Sequence, residues 1–421
     1  MQHDTGTGAP DLSAMIPEVK VPAGLTLAGL VGGLVLGLLV GEGGGLSAMI
    51  APLGHLWLRA LQMTILPLVV SLLVTGIVQS VAAAEAGPMA RRTLGLFVAV
   101  LGVGTVMAAV LMPLALDLFP VPQRAAAALQ AAAPAASGSL PAFADFLDAL
   151  LPANVVAAAA GDLVLPVLAF FALFAMATTR LPAAPRDLMA NVFAALAATM
   201  MVIIGWVLRL APVGVFALAL GVSSAAGSDA IAALAHYIAV VASMGAIVFV
   251  AGYGLAVLGG RLALGAFART MLPVQAMALS TQSSLACLPA MLAACRSLGV
   301  RSASADFVLP LAVALFRATS PVMNLAVGIY VARLTGTPLP PAAIAAGVAV
   351  AVATTFGTIS LPGTISFIAS TAPIALAMGV PTGPLGLLVA VEMLPDLMRT
   401  LANVTMDVAV TATVDRRSRT A

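Results

Sequence analysis

Residues 94–116 read LGLFVAVLGVGTVMAAVLMPLAL, a run of 23 residues without a charged side chain. A helix of about 20 apolar residues crosses the hydrocarbon core of a bilayer. Comparable apolar runs occur at 25–40, 231–258 and 342–355. Only 8% of the 421 residues are charged, whereas roughly 25% is usual in soluble domains. The sequence therefore predicts an all-α polytopic membrane protein.

Along the whole chain, the apolar pattern predicts eight membrane helices, at 24–41, 50–82, 93–119, 143–180 (with a break), 187–222, 230–259, 305–334 and 384–414. Two further apolar segments, 266–298 and 340–379, are interrupted by polar residues, Pro and Gly at 280–289 and 357–363. Non-helical backbone persists at membrane depth only where protein or a water-filled cavity satisfies its polar groups. Each interruption is therefore predicted to be the tip of a re-entrant helical hairpin.

The distribution of basic residues predicts the orientation, because cytoplasmic loops carry an excess of Lys and Arg. With a cytoplasmic N-terminus, the inner segments hold Lys20, Arg91, Arg92, Arg180, Arg186, Arg261, Arg269, Arg296, Arg301, Arg416, Arg417 and Arg419. The outer segments hold only Arg124 and Arg333. The first hairpin then opens inward and the second outward, an arrangement expected of inverted repeats around a midplane site.

The chain start and the composition narrow the class further. The first twenty residues lack the basic start and cleavage site of a signal peptide, so the first helix is predicted to stay in the mature chain. With the orientation given by the basic residues, both termini are predicted to be cytoplasmic in a multi-pass protein of the inner membrane. The two cysteines, Cys287 and Cys295, are interpreted as packing residues rather than a disulfide or metal site. The net charge of +2 suggests no nucleic-acid partner.

Residues 392–407 of the last helix read EMLPDLMRTLANVTMD. At 100° per residue, six polar side chains fall within an arc of about 100°, and they are Glu392, Asp396, Arg399, Thr400, Asn403 and Asp407. One interpretation is an ion-pair stripe in which Arg399 pairs with Asp396 or Glu392 and only holds helices together. The surplus of acids beside two polar hairpin tips favours a binding site instead, since charges inside a membrane mark functional positions.

The residue types on this face suit complementary contacts. Arg399 can bind a carboxylate through two parallel N–H bonds, and Asp396, one turn away, can accept a ligand ammonium group. Asp407 is a hard oxygen ligand for a cation, with Asn403 beside it. A ligand that carries both a carboxylate and an ammonium group, such as an acidic amino acid, would neutralise the face.

Several motifs together resemble one known family. They are Leu66-Pro67-Leu68, APVGVFAL at 211–218, the Ser-Ser…Leu-Pro tip at 283–289, GTISLPG at 357–363, and residues 396–407. These stretches resemble the glutamate/aspartate transporters, also called dicarboxylate/amino acid:cation symporters, from the first helix to the last.

The resemblance implies eight transmembrane helices plus two re-entrant hairpins, inverted repeats, an elevator-type mechanism and a homotrimer in the lipid bilayer. The implied domains are a cytoplasmic N-terminal segment (1–22), a region of mainly scaffold and trimerisation helices (23–260, with helices 3 and 6 associated with the transport domain), a core transport domain (261–414) and a cytoplasmic tail (415–421).

The resemblance also implies roles at matching positions. Asp396 would hold the substrate amino group and Arg399 its side-chain carboxylate, with Thr400 and Asn403 supplying further polar contacts. Asp407 would serve a sodium site. The two hairpin tips would enclose the substrate, with contacts from Ser283, Ser284, Leu361, Pro362 and Gly363.

One segment departs from the family pattern. Where the family carries Asn-Met-Asp-Gly-Thr, this chain carries FRATS at 316–320, so only the final hydroxyl, that of Ser320, is kept for the substrate. Arg317 is interpreted as a built-in cation that pairs with Asp407 or holds the substrate-bearing state. One sodium site would then be lost, with Glu392 as the nearest proton carrier. The alternative is that Arg317 only pairs with an acid and the remaining site still uses sodium.

The predicted function is therefore cation-coupled transport of aspartate or glutamate, with sodium or a proton as coupling ion and no other cofactor. A C4-dicarboxylate symporter and an uncoupled exchanger remain alternatives. An enzyme is not favoured, because His236, the only mid-span histidine, has no motif linking it to the hairpin serines. A channel would need a continuous polar pore, and a transport-inactive receptor would bind ligand without flux.

Overall fold

A computed structural model describes residues 23–41, 45–85, 87–122, 152–161, 163–357 and 363–419. These residues form helices and no strand, and the helices in chain order are α1 (Ala23–Val40), α2 (Gly45–Gln62), α3 (Ile65–Glu85), α4 (Pro88–Leu118), α5 (Val155–Ala160), α6 (Val164–Thr178), α7 (Ala183–Arg209), α8 (Ala211–Ala226), α9 (Asp229–Leu258), α10 (Leu264–Thr281), α11 (Leu288–Ser297), α12 (Ser302–Leu315), α13 (Ser320–Thr335), α14 (Pro341–Gly357), α15 (Gly363–Ala377), α16 (Leu385–Leu388) and α17 (Met393–Arg419).

Five helical stretches in the described part of the chain are long and apolar enough to cross a membrane. They are 45–82, 88–118, 183–209, 229–258 and 302–335. The chain is therefore an all-helical protein with several apolar helices of membrane-spanning type, while the predicted count of eight spans stays a prediction. The first hairpin is present as α10 and α11, separated by non-helical residues 282–287. The second tip, including Leu361 and Pro362, and the segment 1–22 lie outside the described residues.

Four predicted helices are wrong in being drawn as continuous. Breaks occur at residues 63–64, 210, 316–319 and 389–392. In each case a proline lies downstream, at Pro67, Pro212, Pro321 and Pro395. A proline ring clashes with the carbonyl four residues before it and removes one helical hydrogen bond. These carbonyls lie within the break at residues 63, 317 and 391, and two residues before it at residue 208. The break at 316–319 matters most, because it interrupts a span at the segment that departs from the family pattern.

The helices form two groups that pack closely. On one side, α8 packs on α1 and α2. On the other, α17 packs between α9, α10 and α12, while α13 packs against α4, α14 and α15. The side chains of α13 are almost all buried, including both neighbours of Asn324. The last helix and α13 are therefore surrounded by protein, which allows them to carry polar groups at membrane depth.

The contact between α1 and α8 depends on the absence of side chains. A Cβ atom added at Gly33 would lie 2.5 Å from the carbonyl oxygen of Phe216, and one at Gly37 would lie 2.7 Å from that of Leu220. Ser223 Oγ also donates to Leu34 O across this contact at 2.7 Å. Small residues of this kind let membrane helices approach at backbone distance.

Replacing Gly33 by alanine is expected to separate α1 from α8, because the added methyl group meets backbone rather than a movable side chain. The expected destabilisation is about 1–3 kcal/mol, the usual effect of overpacking, and it is measured as a lower melting temperature in detergent. Gly32→Ala is the matched control, since its Cβ would meet only the Phe216 ring at 3.7 Å. Equal melting temperatures for the two variants would contradict the close contact.

Candidate functional site

The polar face of α17 is buried. Glu392 in the preceding turn is 1% exposed, Asp396 6%, Arg399 5% and Asp407 2%. Thr400 and Asn403 are buried between them. The helix packs against α9, α10 and α12. The predicted polar stripe is therefore a set of buried ionisable groups, each of which needs a compensating partner.

Arg399 is at the centre of a buried ion-pair cluster. Its Nη2 donates to Glu392 Oε1 at 2.7 Å, its Nε lies 3.2 Å from Asp396 Oδ1, and its Nη1 donates to Asn324 Oδ1 at 3.0 Å. The pairing that a purely structural interpretation predicts is thus present. Two carboxyl groups share one guanidinium group.

Two further helices complete the cluster. Tyr237 of α9 donates its hydroxyl to Glu392 Oε2 at 2.7 Å, and Asn324 of α13 donates Nδ2 to Ser370 Oγ of α15 at 2.8 Å. Sequence reasoning missed Tyr237, Asn324 and Ser370. The available signal was a lone polar side chain inside an apolar helix, which is rare in membranes unless it has a partner.

Replacing Tyr237 by phenylalanine is expected to lower stability by about 1–3 kcal/mol, because a buried carboxylate oxygen of Glu392 loses its donor. Thermal melting in detergent measures the change. Tyr253→Phe on the same helix is the matched control: Gln275 donates to its hydroxyl at 2.9 Å and also to Thr405 at 3.2 Å, so no buried charge is left unsatisfied. A loss in Tyr237→Phe no larger than in the control would contradict the role of Tyr237.

The break at 316–319 faces this cluster and is fixed at both ends. The ring of Phe316 stacks on Phe97 of α4 with centroids 4.3 Å apart. The backbone N–H and the hydroxyl of Thr319 both donate to Asn403 Oδ1 at 2.9 Å. Asn403 thus satisfies polar groups of the break, a role that its position on α17 alone did not indicate.

Arg317 lies in the same break and is half-buried. It is close enough to interact electrostatically with Asp396 and Arg399. Asp407 has no such charged neighbour among the described residues. The structure therefore places Arg317 beside the Arg399 cluster, whereas the interpretation from sequence offered Asp407 as one of its partners.

Asp407 stands apart from the cluster. Within the described ranges its Oδ1 has no hydrogen-bond partner although the side chain is buried. It lies near Cys287 at the first hairpin break. A buried carboxylate oxygen of this kind suits a hard cation. No group of three or more His, Cys, Asp or Glu able to hold a metal occurs in the described part of the chain.

The remaining predicted residues are distributed around these groups. Thr400 donates to the carbonyl of Asp396 in its own helix at 3.1 Å, and Ser320 is buried in the first turn of α13. Ser283 and Ser284 are half-buried in the break of the first hairpin, where Ser283 Oγ accepts from Ala286 N at 3.3 Å. Gly363 begins α15.

Comparisons with known proteins identify several related transport proteins. The chain is similar to the proton/glutamate-aspartate symporter of Escherichia coli (strain K12), with 27% identity over 366 residues that cover 85% of this chain and 82% of that protein. It is 24% identical over 391 residues, 88% of the chain and 89% of the relative, to the proton/sodium-glutamate symport protein of Geobacillus stearothermophilus.

A third relative, C4-dicarboxylate transport protein 1 of Pseudomonas aeruginosa (strain UCBPP-PA14), is 28% identical over 277 residues. That match covers 64% of this chain and 60% of the relative. The family model described as "Sodium:dicarboxylate symporter family" matches residues 25–417. Because this match spans nearly the whole sequence, the chain belongs to the sodium:dicarboxylate symporter family.

Proposed function

We propose that this protein is a secondary active transporter of acidic amino acids, aspartate or glutamate, across the inner membrane. The observation that carries the proposal is the buried cluster around Arg399, with Asp396 for an ammonium group and guanidinium groups for carboxylates, between helices interrupted at membrane depth. Printed names of relatives include glutamate-aspartate and C4-dicarboxylate carriers. A C4-dicarboxylate is therefore the second candidate, and it would make no use of Asp396 as an amino-group acceptor.

The proposed mechanism follows the family resemblance. Residues 261–414 act as the transport domain and most of 23–260 as the scaffold of a homotrimer, with both termini cytoplasmic. Thr400, Asn403 and Ser320 line the substrate site together with Ser283 and Ser284, and the second hairpin tip at 357–363 closes over it. In this proposal the transport domain carries substrate across by elevator motion.

The coupling ion follows from the charges near the site. Arg317 supplies a fixed positive charge where the family pattern has sodium-binding side chains, so at least one coupled sodium is dispensed with. Asp407 keeps one oxygen for a cation, and Glu392 is the carboxylate that accepts a coupled proton when Arg399 moves away from it. In this proposal, uptake is coupled to protons or to fewer sodium ions than in the family pattern, and exchange without any coupling ion is the extreme case.

Uptake into liposomes tests the function. The purified protein is reconstituted, and labelled aspartate uptake is measured under an inward sodium gradient, an inward proton gradient, or neither, with labelled succinate in parallel. Uptake of aspartate driven by protons and indifferent to sodium supports the proposal. Uptake strictly dependent on sodium overturns the coupling assignment, and succinate uptake without aspartate uptake favours the C4-dicarboxylate candidate.

The same liposome experiment distinguishes an exchanger from an inactive protein. Liposomes preloaded with unlabelled aspartate that take up label without any gradient identify an exchanger. Absence of flux for both substrates under every condition overturns the transport function. Arg333→Met is a suitable control for handling, because its ion pair with Asp117 is on the exposed surface and exposed pairs contribute little.

A further inference from the structure

Three parts of the chain bring basic side chains together at one end of the helices: the start of α4, the turn between α9 and α10, and the end of α17. Arg92 Nη1 donates to Arg417 O at 3.5 Å, and Arg416 Nη1 donates to Gly259 O at 3.0 Å. Arg416 follows Arg399 by 17 residues, which is about 25 Å along a helix. This basic group is therefore separate from the cluster around Arg399.

The backbone holds these side chains close to one another. A Cβ atom added at Gly259 would lie 2.7 Å from Thr413 Oγ1, so the end of α9 touches α17 at backbone distance. Two residues later, Arg261 adopts a left-handed φ of 54°, which few residues other than glycine do. Burial, and then the like charges of Arg261 and Arg417, lower the pKa of Arg416. The turn therefore places Arg261 within electrostatic range of the arginines of α17.

The net charge of this group is positive whatever pairs form inside it. Segments 83–92, 259–263 and 415–419 together hold six arginines and two acids, a net charge of +4. Arg416 and Arg417 also have partners within the chain, but internal contacts redistribute this charge and do not remove it. Arg92, Arg261 and Arg417 are exposed, so the excess positive charge lies on the surface of the protein.

Exposed apolar side chains border the basic group on the same helices. Leu258, the last residue of α9, is 80% exposed, Leu264, the first of α10, 58%, and Val98 of α4, 51%. A surface that is cationic at its rim and apolar beside it matches a phospholipid, which carries an anionic headgroup above acyl chains. Basic pockets between membrane helices bind such headgroups, and a guanidinium group binds phosphate through two parallel N–H bonds.

We propose that Arg92, Arg261 and the arginines at the end of α17 bind the headgroup phosphate of an anionic phospholipid. The lipid belongs to the leaflet at this end of the helices, which the distribution of basic residues predicts to be the cytoplasmic one. Its headgroup bridges α4, the turn after α9 and α17, and it offsets the repulsion among their arginines. Bound lipid therefore stabilises the contact of these three elements, independently of which substrate the protein carries.

Two lipids with equal acyl chains and different headgroup charge test the site. Phosphatidylglycerol or phosphatidylcholine is titrated into the purified protein in detergent, bound lipid is counted by native mass spectrometry, and the melting temperature is recorded. We expect phosphatidylglycerol to bind the double variant Arg92→Gln/Arg261→Gln roughly 30-fold more weakly than wild type, about fivefold per arginine, and to stabilise it less.

Arg180→Gln is the matched control, because Arg180 is also exposed but lies just beyond α6, a helix that packs on α3. Its effect on phosphatidylglycerol affinity is expected to be less than about twofold, since a charge outside the site is screened by salt. Arg92→Lys/Arg261→Lys keeps both charges and is expected to recover part of the affinity.

Four outcomes overturn the inference. They are absence of bound phosphatidylglycerol on wild type, equal binding of the two lipids, an equal loss of affinity in Arg180→Gln, and a rise in melting temperature that inorganic phosphate alone reproduces. The last outcome would assign the site to a soluble anion. The melting temperature of each variant without lipid shows that it is folded, and the single variants Arg92→Gln and Arg261→Gln carry the test if the double variant does not fold.

Discussion

Replacing Arg399 by methionine is expected to destabilise the protein by about 3–5 kcal/mol, because Glu392 and Asp396 are then left buried without their counter-charge. Transport is expected to fall below about 1% of wild type, since a buried charge-pair partner is worth 2–5 kcal/mol in binding. Thermal melting in detergent and aspartate uptake in liposomes measure the two effects.

A double variant separates folding from function. Arg399→Met combined with Glu392→Gln keeps one carboxylate, Asp396, beside the charge of Arg317, so most of the lost stability is expected to return. Uptake is expected to stay low, because Asp396 has lost the contact from Nε that orients it. Equal melting temperatures for the single and double variants would contradict the ion-pair account.

Replacing Asp407 by asparagine is expected to have the opposite effect on stability. Its Oδ1 has no hydrogen-bond partner in the described ranges, and removing an uncompensated buried charge is worth about 1–3 kcal/mol. We expect a higher melting temperature together with a loss of any cation effect on uptake. If Asp407 binds sodium, sodium raises the melting temperature of wild type but not that of Asp407→Asn.

The same helix offers a control substitution for which the opposite change in melting temperature is expected. Asp415 is buried, but it accepts from Arg301 Nε at 2.6 Å and from Ser304 Oγ at 2.7 Å. Asp415→Asn is therefore expected to lower the melting temperature. A decrease for both substitutions would mean that Asp407 is compensated as well as Asp415 is.

The sequence predicts the helical class, the first hairpin and the polar face of the last helix, because these follow from local composition and from a helical period. It does not predict where helices break. Prolines at 67, 212, 321 and 395 follow breaks, whereas Pro52, Pro113, Pro273, Pro310 and Pro373 are inside continuous helices. The difference depends on tertiary partners, such as Asn403 for the break at 316–319, that satisfy the released backbone groups.

The helical period of the sequence also does not predict which residues pair with the buried charges. The period shows that Glu392, Asp396 and Arg399 share a face, but it does not show what lies opposite. Tyr237 is 155 positions from Glu392 and Asn324 is 75 positions from Arg399. For the same reason, the structure was needed to show that Arg317 lies near Asp396 and Arg399.

The break at 316–319 has a consequence for how the chain enters the membrane during synthesis. The stretch 302–335 is the least apolar of the five candidate spans, and it contains Arg317. An arginine at the centre of an inserting helix is unfavourable by about 2.5–3.5 kcal/mol. Two of the helices that pack on α13, α4 and α9, precede it in the chain, whereas α14 and α15 follow.

Synthesis proceeds from the N-terminus, so α17 and its Asn403 do not yet exist when this span reaches the translocon. Among the described helices that pack on α13, α4 and α9 are then available to receive it, and the aromatic contact of Phe97 with Phe316 is already possible. We therefore expect contacts with α4 and α9 to stabilise this poorly inserting span in the membrane until the last helix, α17, is inserted and its Asn403 can satisfy the polar groups of the break.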